Sequence, residues 1–397
     1  MNLPSPDVRL TLTSLSYRED DGLGAEWSFD ALRLDELNLI VGRNAAGKSR
    51  VLRVISNLAR CITGRAAPFA SGEWSLTFID SAGNQWRYEV SMRTAEVTHE
   101  ALWCGVEPLL SVGADGTGMI FNAEAQKHLK TQAPTDRLLV NAKQDTLQHP
   151  FIEPLMGWAE GVHHILFGSS MAKDNAFLEI ESAQTSQARP SSQNPHEVVA
   201  LLRDGQSRFG ADFTSEIVAD MVDIGFPLVE VDVLPMKRAV VSSPLDAKLL
   251  QVHVVEDGVS SPLNQTELSQ GMWRSLCTII LLHYALRAER PSILLVDDIG
   301  EGLDYERASG LIQTIMRRVK DSQTQVIFTS NDRQVMNAVP LEAWHVLMRK
   351  GGKVTIYDQH NAADRFAEFK YTGLNNFDLL SSGFLEEGAG SADAEPA

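Results

Sequence analysis

Gly42-Arg43-Asn44-Ala45-Ala46-Gly47-Lys48-Ser49 is the stretch from which the rest of this chain is read. It follows an apolar run, Leu37-Asn38-Leu39-Ile40-Val41, and leads into Arg50-Val51-Leu52-Arg53-Val54-Ile55, whose apolar residues have helical spacing. A strand, a GxxxxGK[ST] loop and a helix in that order form the unit that cradles nucleotide phosphates. Glycines at 42 and 47 let backbone N–H groups turn inward onto an anion, and the helix adds its positive N-terminal end. The pattern predicts that Lys48 reaches the β- and γ-phosphates and that the Ser49 hydroxyl holds Mg²⁺.

The remaining composition narrows the class. A chain of 397 residues, 44% hydrophobic and 22% charged, is globular and long enough for two or three domains. No apolar run reaches membrane-spanning length; the longest, around Ile279–Leu282 and Ile293–Val296, are far too short. The first residues, MNLPSPDVRL, have neither the basic nor the apolar region of a signal peptide. Cys61, Cys104 and Cys277 stand far apart, which gives no disulfide framework and no zinc spacing. Cytoplasmic residence without a membrane partner is the expectation. The net charge of −17 argues against a broad cationic surface and suits work through a protein partner. Two basic clusters, Met316-Arg317-Arg318-Val319-Lys320 and Met348-Arg349-Lys350, read as solvated faces.

In chain order, Leu10–Leu15 and Trp27–Leu34 read as a strand pair that shares a sheet with Leu37–Val41. Tyr17 has two open readings, an adenine platform or a tyrosine half-buried at a sheet edge. Trp74–Ile79 and Trp86–Met92 form a hairpin across Asp80–Gln85, with a further strand or two up to Phe121, giving a β-rich lobe. Leu138-Leu139-Val140 reads as a strand ending before Gln144. From Phe151 to Phe226 the pattern is mostly helical, with a polar loop at Ser182–Pro195 and helices His196–Phe209 and Thr214–Ile224 flanking Gly210. His163-His164 falls within this stretch; adjacent positions face different sides of a helix, which speaks against metal chelation. No sustained heptad repeat supports long coiled-coil arms. Leu228–Leu234 and Leu249–Val255 return to strand character.

A second block carries chemistry. Leu268-Ser269-Gln270-Gly271-Met272 opens a long helix, Trp273–Arg287, and Ser-x-Gly at a helix start presents a hydroxyl and free N–H groups to an anion. Ile293-Leu294-Leu295-Val296 is a buried parallel strand whose tip carries Asp297 and Asp298. Acids at a strand's C-terminal end can meet a metal: Asp297 would hold Mg²⁺ through water and Asp298 would polarise the attacking water.

With these blocks in view the chain resembles an ABC-type ATPase, of the bacterial SMC/RecF/OLD-like "AAA family" group. Leu268–Met272 is similar to the LSGGQ signature, and Asp297–Asp304 (DDIGEGLD) to DEPTSALD, which joins Walker B to the D-loop. The resemblance implies a P-loop NTPase of α/β class, an ABC-type ATPase head with a β-rich lobe and an inserted helical subdomain. It implies domains at 1–145, 146–227 (the helical insert) and 228–360, with 361–397 a C-terminal extension and tail. It places Asp298 at the catalytic glutamate, Asn331 at the switch histidine, Asp304 in the D-loop, and Gln144 as the glutamine that senses Mg²⁺ and the γ-phosphate. Asp298 is one methylene shorter than glutamate, and Asn331 cannot take a proton, so hydrolysis is expected to be slow.

Such heads sandwich two ATP molecules in a head-to-tail C2 homodimer, Ser269 and Gly271 of one subunit completing the γ-phosphate site of the other. ATP binding closes the dimer and hydrolysis releases it. The expected partner is a nuclease-like effector in genome maintenance, anti-phage or toxin–antitoxin systems, with nucleic acid a further candidate. A transporter subunit and a barely hydrolysing scaffold are the alternatives. The aromatic stretch Phe366–Phe377 either docks a partner or packs on the core, and residues after Leu385 read as disordered.

Overall fold

A computed structural model describes residues 5–20, 26–68, 71–171, 173–180, 197–236, 247–287 and 292–385. The chain divides into two compact units, residues 1–162 with 339–397, and residues 163–338. The Ser182–Pro195 loop and the tail after Leu385 lie outside the described residues.

The first unit opens with β1 (Leu10–Asp20), β2 (Glu26–Arg33), β3 (Leu37–Gly42) and α1 (Lys48–Ile62). The lobe follows: β4 (Gly72–Asp80), β5 (Gln85–Arg93), β6 (Glu96–Cys104), β7 (Glu107–Val112), β8 (Thr117–Asn122) and β9 (Lys127–Gln132), then α2 (Leu139–Ala142) and α3 (Glu153–Glu160). The second unit holds β10 (Val162–Leu166), β11 (Phe177–Ile180), α4 (Val198–Phe209), α5 (Ala211–Ile224), β12 (Leu228–Pro235), β13 (Ala247–Glu256), β14 (Leu263–Asn264), α6 (Gln270–Leu286), β15 (Ser292–Asp297), α7 (Tyr305–Val319), β16 (Thr324–Thr329) and α8 (Arg333–Ala338). The chain then returns to the first unit as β17 (Trp344–Lys350), β18 (Lys353–Tyr357), α9 (Ala363–Tyr371) and α10 (Asn376–Ser381).

Within the first unit the strands run in the order β3-β17-β18-β2-β1-β4-β5-β6-β7-β8-β9. β3 pairs in parallel with β17, and from β1 to β9 every pairing is antiparallel. Leu39, Ile40 and Val41 are fully buried, as a parallel strand covered on both faces requires. The β4–β5 turn is set by Asp80, whose carboxylate accepts the amides of Ala82 and Asn84 and the indole N–H of Trp86. Burial alone would raise the Asp80 pKa, but these hydrogen bonds outweigh it and hold the carboxyl below its ordinary range. The lobe is larger than its sequence suggests, because β6 to β9 continue the meander in place of a strand or two.

Leu138–Val140 is not a strand. Leu139 and Val140 begin α2, because the buried Glu100 carboxylate accepts both of their amides and serves as the cap that the segment itself lacks. Tyr17 is neither at a sheet edge nor free to stack on a base. β1 lies between β2 and β4, and the ring is 4% exposed among Trp27, Phe29 and Trp74. Phe366 and Phe369 of α9 are buried, so the aromatic C-terminal stretch packs on its own unit.

In the second unit β10, β15 and β16 lie side by side, β15 and β16 in parallel, while β11, β13, β12 and β14 make a separate antiparallel sheet. The stretch expected to be a helical insert is mixed: α3 belongs to the first unit, and β10 and β11 interrupt the helices. His163 and His164 therefore sit on a strand, where successive side chains alternate. Among the described residues no cluster of His, Cys, Asp or Glu could hold a metal ion. α4 and α5 are separate helices because Gly210, at φ 72°, breaks the run between them.

The Arg317-Arg318 cluster is a solvated face only in part: Arg317 and Lys320 are exposed, but the two arginines are engaged. Both donate to Asp220 on α5, which is buried and also bonds His283 of α6 at 2.7 Å. Burial alone would raise the Asp220 carboxyl, but the bonds from His283 and Arg318 outweigh it and lower its pKa.

Candidate functional site

The phosphate-loop residues lie in the first unit. β3 ends at Gly42, where a Cβ would stand 2.7 Å from the Leu347 carbonyl oxygen of β17, so the close approach of the two strands needs glycine. The loop tightens through a bond from the Ala46 amide to the Arg43 carbonyl, with Ala45 at φ 64°. Gly47, at φ 108°, starts α1 and rests on the indole of Trp27, 2.7 Å from where a Cβ would stand. α1 has no side-chain cap and no acid in its first turn, which leaves its positive end open to an anion. Lys48 is 7% exposed, and its Nζ donates to the carbonyls of Gly42 at 2.9 Å and Arg43 at 3.4 Å. Ser49 is half-buried, and Arg43 and Asn44 are exposed. Gln144 is exposed beyond α2.

Sequence reasoning passed over several residues in this unit. Trp27 is the floor of the loop, Arg50 stacks over it at 4.5 Å and ion-pairs with Glu19 at 2.6 Å, and Arg349 donates to the Ala45 carbonyl at 3.2 Å. The helical phase of α1 and the basic end of β17 were visible signals; the pairings were not.

The acidic strand end and the signature turn lie in the second unit. Asp297 ends β15, and its Oδ1 accepts the Thr329 hydroxyl at 2.7 Å. The same hydroxyl oxygen accepts the Asp298 amide at 2.9 Å, so Thr329 uses both its donor and its acceptor to fix two consecutive acids. Asp298 has φ 54°, a conformation that a non-glycine residue holds only when its surroundings impose it. Asn331 donates weakly to Asp298 Oδ1 at 3.4 Å. Ser269 caps α6, its Oγ accepting the Met272 amide at 3.1 Å, and Gly271 packs so close to Leu303 that a Cβ would stand 2.8 Å away. Asp304 caps α7 by accepting the Arg307 amide; that bond and the Arg307 guanidinium hold its carboxyl below the ordinary range. Thr329 was not picked out from the sequence, although a hydroxyl at the end of an apolar strand is a readable signal.

Each unit, taken by itself, offers oxygen donors of the kind a hard cation takes. Ser49 offers a hydroxyl. Among the described residues Asp297 has no lysine or arginine partner, only the neutral Thr329 hydroxyl on one oxygen.

Residues 159–336 match the family described as "AAA domain, putative AbiEii toxin, Type IV TA system". No curated protein sequence matches the chain. Among solved structures, an SMC head bound to the C-winged helix domain of ScpA is similar with a TM-score of 0.50 at 11% identity, covering 87% of this chain and 97% of that one. The SMC head domain from Thermotoga maritima gives 0.44 at 14%, covering 87% and 98%. An Smc head with an extended coiled coil, bound to the C-terminal domain of ScpA derived from Pyrococcus furiosus, gives 0.47 at 12%, covering 91% and 100%. The first of these carries the assignment, and at such identities it is an assignment of fold alone: the α/β fold of an SMC head.

Proposed function

From a chain whose residues 159–336 match an AAA domain model and whose fold is shared with an SMC head, we propose that this protein binds ATP with Mg²⁺ and hydrolyses it to switch between assembled and released states. The observation that carries the reading is the Lys48 ammonium parked on the carbonyls of Gly42 and Arg43 above an uncapped helix start. That is a cation and a set of N–H groups arranged for a polyphosphate. Gly42–Ser49 hold the phosphate chain, with Lys48 on its terminal phosphates. Ser49 and Gln144, with Asp297 through water, would hold Mg²⁺, which would supply charge neutralisation across the phosphates. Asp298 orients and polarises the attacking water, and Asn331 hydrogen-bonds the γ-phosphate.

Ser269, Gly271 and Asp304 act across a C2 homodimer on the nucleotide of the second subunit. The partner is an effector protein of nuclease type, and the setting is bacterial genome maintenance or defence of the toxin–antitoxin kind, in the cytoplasm. The shorter carboxylate of Asp298 and the weak 3.4 Å contact from Asn331 favour slow turnover.

The test is phosphate release and sedimentation with Mg-ATP for the wild type, Lys48→Ala and Asp298→Asn. The wild type is expected to turn over and Lys48→Ala to lose both turnover and ATP-dependent dimerisation, while Asp298→Asn accumulates the ATP-bound dimer. Turnover unchanged in Lys48→Ala would overturn the assignment. A monomeric Asp298→Asn protein saturated with ATP would overturn the switch.

A further inference from the structure

Between β10 and β11 the chain runs Phe167-Gly168-Ser169-Ser170-Met171, residues that no motif claims. This short bridge is gripped from two sides within the second unit. On one side is the acidic strand end: the Phe167 amide donates to the Asp297 carbonyl at 3.0 Å. Gly168 lies so close to Glu301 that a Cβ there would stand 2.3 Å from the carboxylate oxygen and 3.9 Å from Asp298 Cβ. On the other side is the helix that opens with the signature turn. Gln270 donates its side-chain amide to the Ser169 carbonyl at 3.1 Å, and the Trp273 indole donates to the Met171 carbonyl at 3.2 Å. Arg274 spans both sides: Nε donates to Ser169 at 3.0 Å, Nη2 to Gly168 at 2.8 Å and Nη1 to the Glu301 carbonyl at 2.9 Å.

A guanidinium has five N–H donors in a rigid planar fork, and here three of its bonds tie carbonyls of two loops into one body. A lysine is a point donor on a flexible stem and cannot hold that geometry. Gln270 sits where LSGGQ has glycine. Its side chain is therefore a departure with a use in this chain, a second tie from the signature turn to the bridge.

We infer that Arg274, helped by Gln270, is a positioning residue: it makes the signature turn, the 167–171 bridge and the Asp298–Glu301 loop move as one piece. A phosphate arriving at Ser269 then sets the placement of Asp298 in the same subunit. This rests on the nucleotide reading above and adds to it a route by which occupancy of one site adjusts catalysis at the other. The coupling is carried by discrete hydrogen bonds between packed elements.

The experiment compares wild type, Arg274→Lys and Gln270→Gly for steady-state ATP hydrolysis and for hydrogen–deuterium exchange with and without Mg-ATP. In the wild type ATP slows exchange at 43–49 and also at 166–171 and 297–301. In Arg274→Lys, slowing at 43–49 persists while that at 166–171 and 297–301 is lost, and kcat falls roughly tenfold with KM held within about twofold, as for a small misplacement of a reacting group. Gln270→Gly, which restores the family's residue at a solvent-facing helix start, is expected to move the same readouts the same way by a smaller factor. Exchange at 166–171 that still responds to ATP in Arg274→Lys, or a loss shared equally by kcat and KM, overturns the coupling and leaves the ATPase reading standing. No ATP response at 43–49 in the wild type overturns the nucleotide reading and the coupling with it.

Discussion

In the first unit Lys48 turns back onto two loop carbonyls, whereas in the second Asp297 and Asp298 are fixed by one threonine hydroxyl that serves them both. On the proposed function, the lysine's bonds are ones a phosphate would replace: the ammonium would swing from a neutral carbonyl to an anion and gain a charge-assisted bond. The acids' bonds are ones a ligand leaves in place, since Thr329 uses one oxygen of Asp297 and the backbone of Asp298. A cradle that must be emptied of its own contacts gives affinity a cost at every binding event. A preset pair of carboxylates meets that cost once, during folding, and needs no rearrangement when the reaction occurs. The difference predicts that mutations in the two places separate binding from stability.

The largest effect is expected at Lys48. Lys48→Ala removes a charge aimed at the phosphates, and phosphate-release assays should fall about 100-fold or more. Thr329→Val is the sharper contrast. It removes the Asp297 bond and leaves the Asp298 amide without its acceptor, so kcat should fall while calorimetry or denaturant melts show a loss of roughly 1–3 kcal/mol in stability. Equal melting of wild type and Thr329→Val would mean that the acids are held by something other than the hydroxyl.

A middle-sized effect concerns Glu100. Desolvation pushes its carboxyl up to about 7, against the lowering effect of the Leu139 and Val140 amides and the Tyr88 hydroxyl. In the unfolded chain the group releases its proton near the ordinary glutamate value of 4.5, so between 4.5 and about 7 the folded state holds the extra proton. The stability it contributes is full below 4.5 and is lost as pH rises to about 7. Denaturant melts across this window should show a declining limb that flattens in Glu100→Gln.

Which parts of this molecule were readable follows from how far apart the causes lie. The phosphate loop, β15 and the signature helix were legible because each carries its whole signal within a dozen residues: an apolar run, a glycine or acid at its end, a cap at the next start. α2 was misread because its cap is Glu100, separated from Leu139 by 39 positions. The Arg317–Arg318 pair was misread in part because its counter-ion, Asp220, lies 98 positions from Arg318. Tyr17 has two open readings in the sequence, a base platform or a sheet-edge tyrosine, since an alternating strand does not disclose which strands flank it. The departures at Gln270 and Asp298 were visible in the sequence; what Gln270 bonds became apparent only when β10 and the bridge after it were placed beside α6.

The smallest effect tests whether Asp304 is more than a cap. Its side chain accepts the Arg307 amide at 3.0 Å at the start of α7, a duty that asparagine performs about as well as aspartate and alanine does not. If capping is its whole role, Asp304→Ala loses roughly 1 kcal/mol and melts a few degrees lower, and Asp304→Asn behaves as wild type in melting and turnover. If it also stands in a D-loop between two subunits, the Asn variant keeps the melting temperature but loses part of the ATP-dependent dimer in sedimentation, because the cap survives and the charge does not. Side-by-side melts and sedimentation of the two variants separate a helix terminus from a contact between subunits. They also bear on the contrast between Lys48 and the acids, since Asp304, like Asp297, is held by hydrogen bonds from its own chain.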